Sequence, residues 1–246
     1  VTAILPVVIL AFGAHPDDVE LGCGGTLAAL AQRGYRFGIC DLTRGEAGTR
    51  GTPETRAAEA RRAAEILGAA FRVTLDLGDG NLRTDRVAEL EVIAVVRAAR
   101  PRLVFAPWEA ARHPDHARAS RLVTEAAWYA GLRALETGLP AHRAQQVLYY
   151  PSSPVAEPSF LVDVTATFEV KLEAIRAFRS QFYHPEATEP DTYISTKGFL
   201  DGIATRAQAI GRLANLPYAE AFLSRVPPRV DDPVAAFEGY EPGFPK

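Results

Sequence analysis

The sequence predicts an α/β fold: a mostly parallel sheet, helices on both faces, and a metal site at the carboxyl ends of the strands. Three observations lead there. Short apolar or β-branched runs at residues 7–12, 37–42, 73–77, 103–106 and 146–150 alternate with helix-forming segments, the order that a parallel sheet needs. The first and fourth of these runs are each followed closely by His-Pro-Asp. The chain has 246 residues and is 48% hydrophobic, which suits one domain over 1–246, and no linker, repeat or low-complexity tract divides it.

The first run leads into AHPDDVELGCGG, residues 14–25. His15, Pro16, Asp17 and Asp18 then fall in a loop at the strand's carboxyl end, where open α/β sheets bind ligands. Gly22, Gly24 and Gly25 are expected to form a turn into a helix over 26–31 that stops at Gly34. GCGGT lacks the GxGxxG spacing of a dinucleotide site, so these glycines are assigned to close packing beneath the loop. Cys23 is taken as a small buried residue rather than a ligand.

The second strand, 37–42, opens into the polar, glycine-rich TRGEAGTRGTP loop. Thr52 as N-cap, Pro53 at the first helical position and Glu54 in the first turn announce a helix that Gly68 closes. After the third strand, LGDGNL reads as a turn. A helix over 85–100 follows, with Val87, Leu90, Ile93 and Val96 or Ala94 on its apolar face, and Pro101 ends it. The fourth strand and a loop over 107–112 lead to RHPDHA. Pro114 suits a first helical turn, which puts His113 near the cap and Asp115 where the helix dipole favours a carboxylate. Asp115 is expected to accept a ring proton from His113 and fix its tautomer. Trp128, Tyr129 and Leu132 are expected in the core. A fifth strand at 146–150, a short strand at 160–164, a helix over 168–182 with Gln181 at its surface, and a long loop over 183–197 complete the chain. The proline-rich tail after Arg225, with PPRVDDP and EPGFPK, is expected to run along a neighbouring subunit.

Zinc favours a few nitrogen and oxygen ligands, with one position left for water when it is catalytic. His15, Asp18 and His116 supply three, and Asp17 is then a spare carboxylate suited to taking a proton from water. Either motif alone fits helix capping equally well. Two His-Pro-Asp motifs after two separate strands favour the metal. Arg112, beside the second motif, is a candidate substrate contact, whereas Arg56 reads by itself as part of a solvated face with Arg61 and Arg62. The formal net charge of -3 and pI near 6.0 give no general pull toward nucleic acid or an anionic membrane. Two cysteines, Cys23 and Cys40, form no disulfide framework and fit a reducing cytoplasm. The apolar start, residues 4–14, lacks a basic leader and runs directly into the metal loop, which argues against a cleaved signal.

Taken together, AHPDDVELGCGGTLA, DLTRGEAGTRGTPETR, RHPDHA, SFLVDV with FRSQF, DTYISTKG and PYAEAF resemble the LmbE-like, or PIG-L, zinc deacetylases. Within that family the resemblance is to the bacillithiol-pathway enzymes acting on N-acetylglucosaminyl-malate. It implies a Rossmann-like fold and a hydrolase that removes the acetyl group from a small N-acetyl sugar. Zinc would be the cofactor, although iron(II) or manganese also suit such ligands. It further implies a substrate contact for Arg56, an active-site role for Tyr193 in DTYI, and a homo-oligomer, in many relatives a hexamer. The catalytic set is then Asp17, His113, Asp115 and Tyr193, with Arg56 and Arg112 on substrate. Deacetylation of another small N-acetyl sugar, or a non-catalytic nucleotide- or metal-binding module, are the other readings.

Overall fold

The computed structural model describes residues 3–152 and 157–238. Strands β1 (Ile9–Gly13), β2 (Phe37–Asp41), β3 (Phe71–Thr74), β4 (Leu103–Pro107), β5 (Gln146–Tyr150), β6 (Phe160–Asp163) and β7 (Ala219–Ser224) form one sheet in the order β3-β2-β1-β4-β5-β7-β6. The first five are parallel, and β7 runs antiparallel to both β5 and β6. The chain builds outward from β1 to β3 and then returns to lay β4 on the other side of β1. That reversal is the topological switch point, where loops leave adjacent strands in opposite directions and open a crevice. The two His-Pro-Asp motifs follow β1 and β4. Topology therefore brings together residues far apart in sequence.

Helices α1 (Asp18–Gln32), α2 (Pro53–Leu67), α3 (Arg86–Ala99), α4 (Pro114–Tyr129), α5 (Phe168–Arg176), α6 (Lys197–Gly211) and the single turn α7 (Pro233–Ala236) complete the fold. Because side chains alternate across a strand, β1 feeds two cores. Leu10 and Phe12 pack with Val92 and Val96 of α3 and Leu122 and Val123 of α4. Ile9 and Ala11 pack with Val19 and Leu27 of α1, Ala63 and Leu67 of α2, and Leu172 and Ile175 of α5. All five residues of β1 are buried, as expected of a central strand covered on both faces. Among the described residues, no helix is long and apolar enough to cross a membrane.

Several expectations need correction. Helix α1 begins at Asp18, not at Thr26, and the glycines lie inside it, around an interruption at Cys23 (φ -144°, ψ 18°). The glycines do serve close packing: a Cβ on Gly22 would overlap the Tyr150 ring, and one on Gly25 would press on Val164. The third strand is Phe71–Thr74, two residues earlier than expected. In α3 the buried face is Ala88, Val92, Ile93, Val95 and Val96, while Val87 is exposed. Trp128 and Leu132 are exposed, with the Arg143 guanidinium over the Trp128 ring at 4.2 Å; Tyr129 packs partly buried against the core. Helix α5 stops at Arg176, and the segment beyond it turns back so that Phe178, Ser180, Gln181 and Phe182 are buried. In the tail, Asp232 caps α7, and EPGFPK lies outside the described residues.

Candidate metal centre

The loop after β1 is too short to turn without strain, and Asp17 takes it up with φ 116°. Asp tolerates positive φ better than most residues. Asp17 occupies the N-cap position of α1, yet its side chain makes no capping bond. Asp18 is turned inward as well, its Oδ2 accepting the His15 backbone N–H at 2.8 Å. Neither carboxylate is therefore engaged in capping α1. At α4, His113 is the N-cap and its Nδ1 accepts the Asp115 backbone N–H at 3.2 Å. That bond leaves the proton on Nε2. The expected bond from the His113 ring to the Asp115 carboxylate is absent. Asp115 instead accepts from Gly80 N–H (2.8 Å), Leu82 N–H (3.2 Å) and Arg118 (2.9 Å), which hold it under the loop after β3.

His116 Nε2 lies 3.0 Å from Asp18 Oδ1, and His15 Nδ1 lies 3.5 Å from Asp18 Oδ2. One ligand atom from each of His15, Asp18 and His116 falls within 4.8 Å of the others, so the three could hold a metal ion. Two imidazoles and a carboxylate are a donor set suited to a first-row divalent cation. Electrostatics agree with a place built for positive charge. Burial opposes a charge on His15, but the surrounding carboxylates of Asp115, Asp18 and Asp79 outweigh it and push the ring up to about 12. Burial also opposes ionisation of Asp18, yet the charge and hydrogen bond of His116 hold its carboxyl well below the usual carboxylate range. Asp17 goes the other way. Its burial, opposed by Arg56 and reinforced by Asp18, raises the carboxyl to about 7.

These residues form the floor of a cavity of about 590 Å³. Arg56 is buried in its wall, not solvated: it donates to Pro16 O (2.7 Å) and Gly45 O (3.0 Å) and lies 3.5 Å from Asp17 Oδ2. It thus ties the loop after β1 to the loop after β2. Arg112 reaches the mouth, its guanidinium 4.3 Å from the centre of the Tyr193 ring. Tyr193 is 63% exposed and lines the same cavity. All nine site residues expected from the sequence line this cavity except Asp115, which lies buried behind His15, its Oδ2 3.5 Å from His15 Nε2.

The fold and these motifs have known counterparts. Residues 10–127 match the family model described as PIG-L, GlcNAc-PI de-N-acetylase. The diacetylchitobiose deacetylase of Thermococcus kodakarensis is 36% identical over 191 residues, covering 71% of this chain and 70% of that protein. The chain belongs to the PIG-L family. Among solved structures, the conserved protein TT1542 from Thermus thermophilus has 40% identity and a TM-score of 0.82, covering 91% of this chain and 97% of that one. The N,N'-diacetylchitobiose deacetylase from Pyrococcus horikoshii, complexed with its inhibitor MPG, has 27% identity and a TM-score of 0.77, covering 89% and 83%.

The cavity of this PIG-L protein also contains residues that sequence reasoning missed. Asp79, in the LGDGNL segment read as a plain turn, has Oδ1 2.9 Å from His15 Nε2. Gln181, expected at the surface, is buried and donates to Arg50 O at 2.8 Å. Arg50 is itself buried and donates from Nε to Ser180 O at 2.8 Å. Arg206 of α6 lines the cavity as well. An acid five residues after the end of β3, at the same carboxyl end of the sheet, was a usable signal for Asp79. Nothing local in the sequence marks Gln181 or Arg206, which depend on how the chain beyond β5 folds back.

Proposed function

We propose that this protein is a metal-dependent, most simply zinc-dependent, N-deacetylase of an N-acetylglucosamine conjugate, one catalytic domain working in the cytoplasm as a homo-oligomer. The observation that carries the reading is the pairing of a His-Asp-His donor set with a buried, non-ligating Asp17 on the floor of a sugar-sized cavity. A binding module needs the first and has no use for the second. His15, Asp18 and His116 are the ligands, and a divalent cation held there supplies Lewis-acid activation of water and of the acyl oxygen.

The chain's own residues do the rest. Asp17, whose burial keeps its carboxyl basic enough to work near neutral pH, takes a proton from the attacking water. The water oxygen bonds to the acetyl carbon, and the amide oxygen becomes an oxyanion. His113 carries its proton on Nε2 and donates to that oxyanion, an interaction that strengthens as charge develops. When the C–N bond breaks, Asp17 returns its proton to the leaving nitrogen, giving acetate and a free amine. Arg56 keeps Asp17 in place, and Asp115 holds the loop behind His15. Tyr193 and Arg112 stand at the cavity mouth, where the aglycone emerges. Arg112 can pair in bidentate fashion with a carboxylate, which supports N-acetylglucosaminyl-malate as the substrate.

The test is amine release from N-acetylglucosaminyl-malate, diacetylchitobiose and N-acetylglucosamine, each with metal-loaded and chelated protein. Release from the loaded protein only, fastest with the malate conjugate, is expected. Faster release from diacetylchitobiose removes the malate assignment, and release from none of the three removes the deacetylase.

A further inference from the structure

We propose that Asp79 is a positioning residue that fixes which nitrogen of His15 faces the metal, an inference resting on the metal reading above. His15 has two ring nitrogens in different surroundings. Nδ1 faces Asp18 Oδ2 at 3.5 Å, and Asp18 Oδ1 in turn lies 3.0 Å from His116 Nε2. Nε2 faces away, with Asp79 Oδ1 at 2.9 Å and Asp115 Oδ2 at 3.5 Å. Neither contact is an aligned hydrogen bond as the ring stands, but two carboxylate oxygens around one nitrogen leave it a single favourable state. A lone pair there would face two negative charges, so Nε2 carries the proton. Nδ1 is left with the lone pair that a metal needs. A carboxylate behind a ligating imidazole also raises its basicity.

Of the two carboxylates, Asp79 is the one with an oxygen to spare. Asp115 already accepts from two backbone N–H groups and Arg118. Asp79 Oδ2 accepts Ala47 N–H at 2.9 Å, and the Asp79 N–H donates to Glu46 Oε1 at 2.8 Å. This reciprocal latch joins the loops after β2 and β3 and sets the carboxylate, with Oδ1 turned toward His15. Its side chain is 8% exposed. The Glu46–Asp79 latch is supplied by two loops that carry none of the three ligands.

The experiment measures zinc affinity by competition with a chromophoric chelator for wild type, Asp79→Ala and Asp79→Asn, beside thermal melting of each chelated protein. Loss of a carboxylate behind a ligating histidine lowers metal affinity about 10- to 100-fold. Asp79→Ala is expected near the upper end of that range. Asp79→Asn keeps an oxygen for the Ala47 N–H, and so the loop latch, but turns its NH2 toward His15 Nε2 and favours the proton on Nδ1; it is expected at that upper end as well, with an unchanged melting temperature. A residue that only latched loops would lower the melting temperature and leave the affinity of the folded Asn variant at the wild-type value. Wild-type affinity in Asp79→Asn, or in a folded Asp79→Ala, overturns the proposal while leaving the metal reading intact. A wild-type protein that fails to compete for zinc overturns both.

Discussion

Replacing Glu220 tests how the first turns of α1, which carry Asp18, are held. At the interruption around Cys23, the backbone partners Leu21 and Gly25 are served by a buried ion pair from elsewhere in the fold. Lys171 Nζ donates to Leu21 O at 2.9 Å, and Glu220 accepts Gly25 N–H (3.0 Å) and Thr26 N–H (2.7 Å) while pairing with Lys171. Lys171 and Glu220 are 4% and 3% exposed. Glu220→Ala strands a buried ammonium, which costs about 3–5 kcal/mol, and leaves two backbone donors unpaired at about 1–3 kcal/mol each if nothing relaxes. The kinked turn can relax toward water in the adjoining small cavity lined by Lys171 and Glu220, so a net loss of about 4 kcal/mol is expected. For a chain of this size that is a fall in melting temperature of roughly 8–16 °C. The double variant Lys171→Met with Glu220→Gln strands no charge and keeps an oxygen for one N–H. It is expected to be more stable than Glu220→Ala by about 2 kcal/mol, because a buried pair removed whole is often close to neutral. Urea unfolding of both variants and of the singles Lys171→Met and Glu220→Gln provides the cycle. A loss under about 1 kcal/mol for Glu220→Ala, or costs that simply add, would refute the account.

Asp17→Asn is expected to retain zinc by elemental analysis and to lose roughly a hundredfold to ten-thousandfold in turnover, the usual size of a general-base contribution; full activity would move the base elsewhere. Asp18→Ala and His116→Ala are expected to lose metal and activity together, since three protein ligands are the usual catalytic minimum; a loaded, folded variant would remove that residue from the ligand set. Gly22→Ala is expected to destabilise by about 1–3 kcal/mol in thermal or urea melts, because the added methyl meets a Tyr150 ring that is buried and tied by its hydroxyl to Phe12 O at 2.6 Å; an unchanged midpoint would mean the ring moves freely. Arg112→Ala is expected to raise KM for the malate conjugate much more than for N-acetylglucosamine, and equal losses on both would make Arg112 structural.

The meeting of His15, Asp18 and His116 was legible because its signals are local. Each His-Pro-Asp follows within six residues a strand that its own residues announce, and the parallel order follows from the alternation of strands and helices. Capped helices were equally legible: Thr52 and Gly68 bracket α2 as expected, with Thr52 accepting Thr55 N–H and Gly68 at φ 80°. Features that depend on partners were not legible. The start of α1 at Asp18 looks improbable in sequence, since Gly22, Gly24 and Gly25 all disfavour helix. It becomes possible because Tyr150 and Val164 occupy the space beside those glycines and Lys171 and Glu220 serve the interrupted backbone. Trp128 and Leu132 continue the amphipathic pattern of α4, but Trp128 falls in its last turn and Leu132 beyond its end at Tyr129, and both are exposed. Arg56 read as solvated because its partners are backbone carbonyls of two other loops, which no spacing in the sequence reveals.

The division between the matched segment and the rest of the chain bears on substrate choice. Residues 10–127 include the proposed ligands and base, Arg56, Asp79 and the whole second motif. Gln181, Tyr193, Phe199 and Arg206 come from beyond them and wall the same cavity. The two parts meet where the Arg112 guanidinium lies over Tyr193, whose ring makes an edge contact with Phe199 at 5.4 Å. Chemistry at the floor depends on sub-ångström placement of charged groups, which the packed strand ends provide. Discrimination at the mouth depends on side chains carried by loops, which tolerate change more readily. A change of aglycone is therefore accommodated with least disturbance at Tyr193 and its neighbours. Exchange of residues 190–196 with the corresponding loop of a diacetylchitobiose deacetylase should shift substrate preference without loss of bound metal.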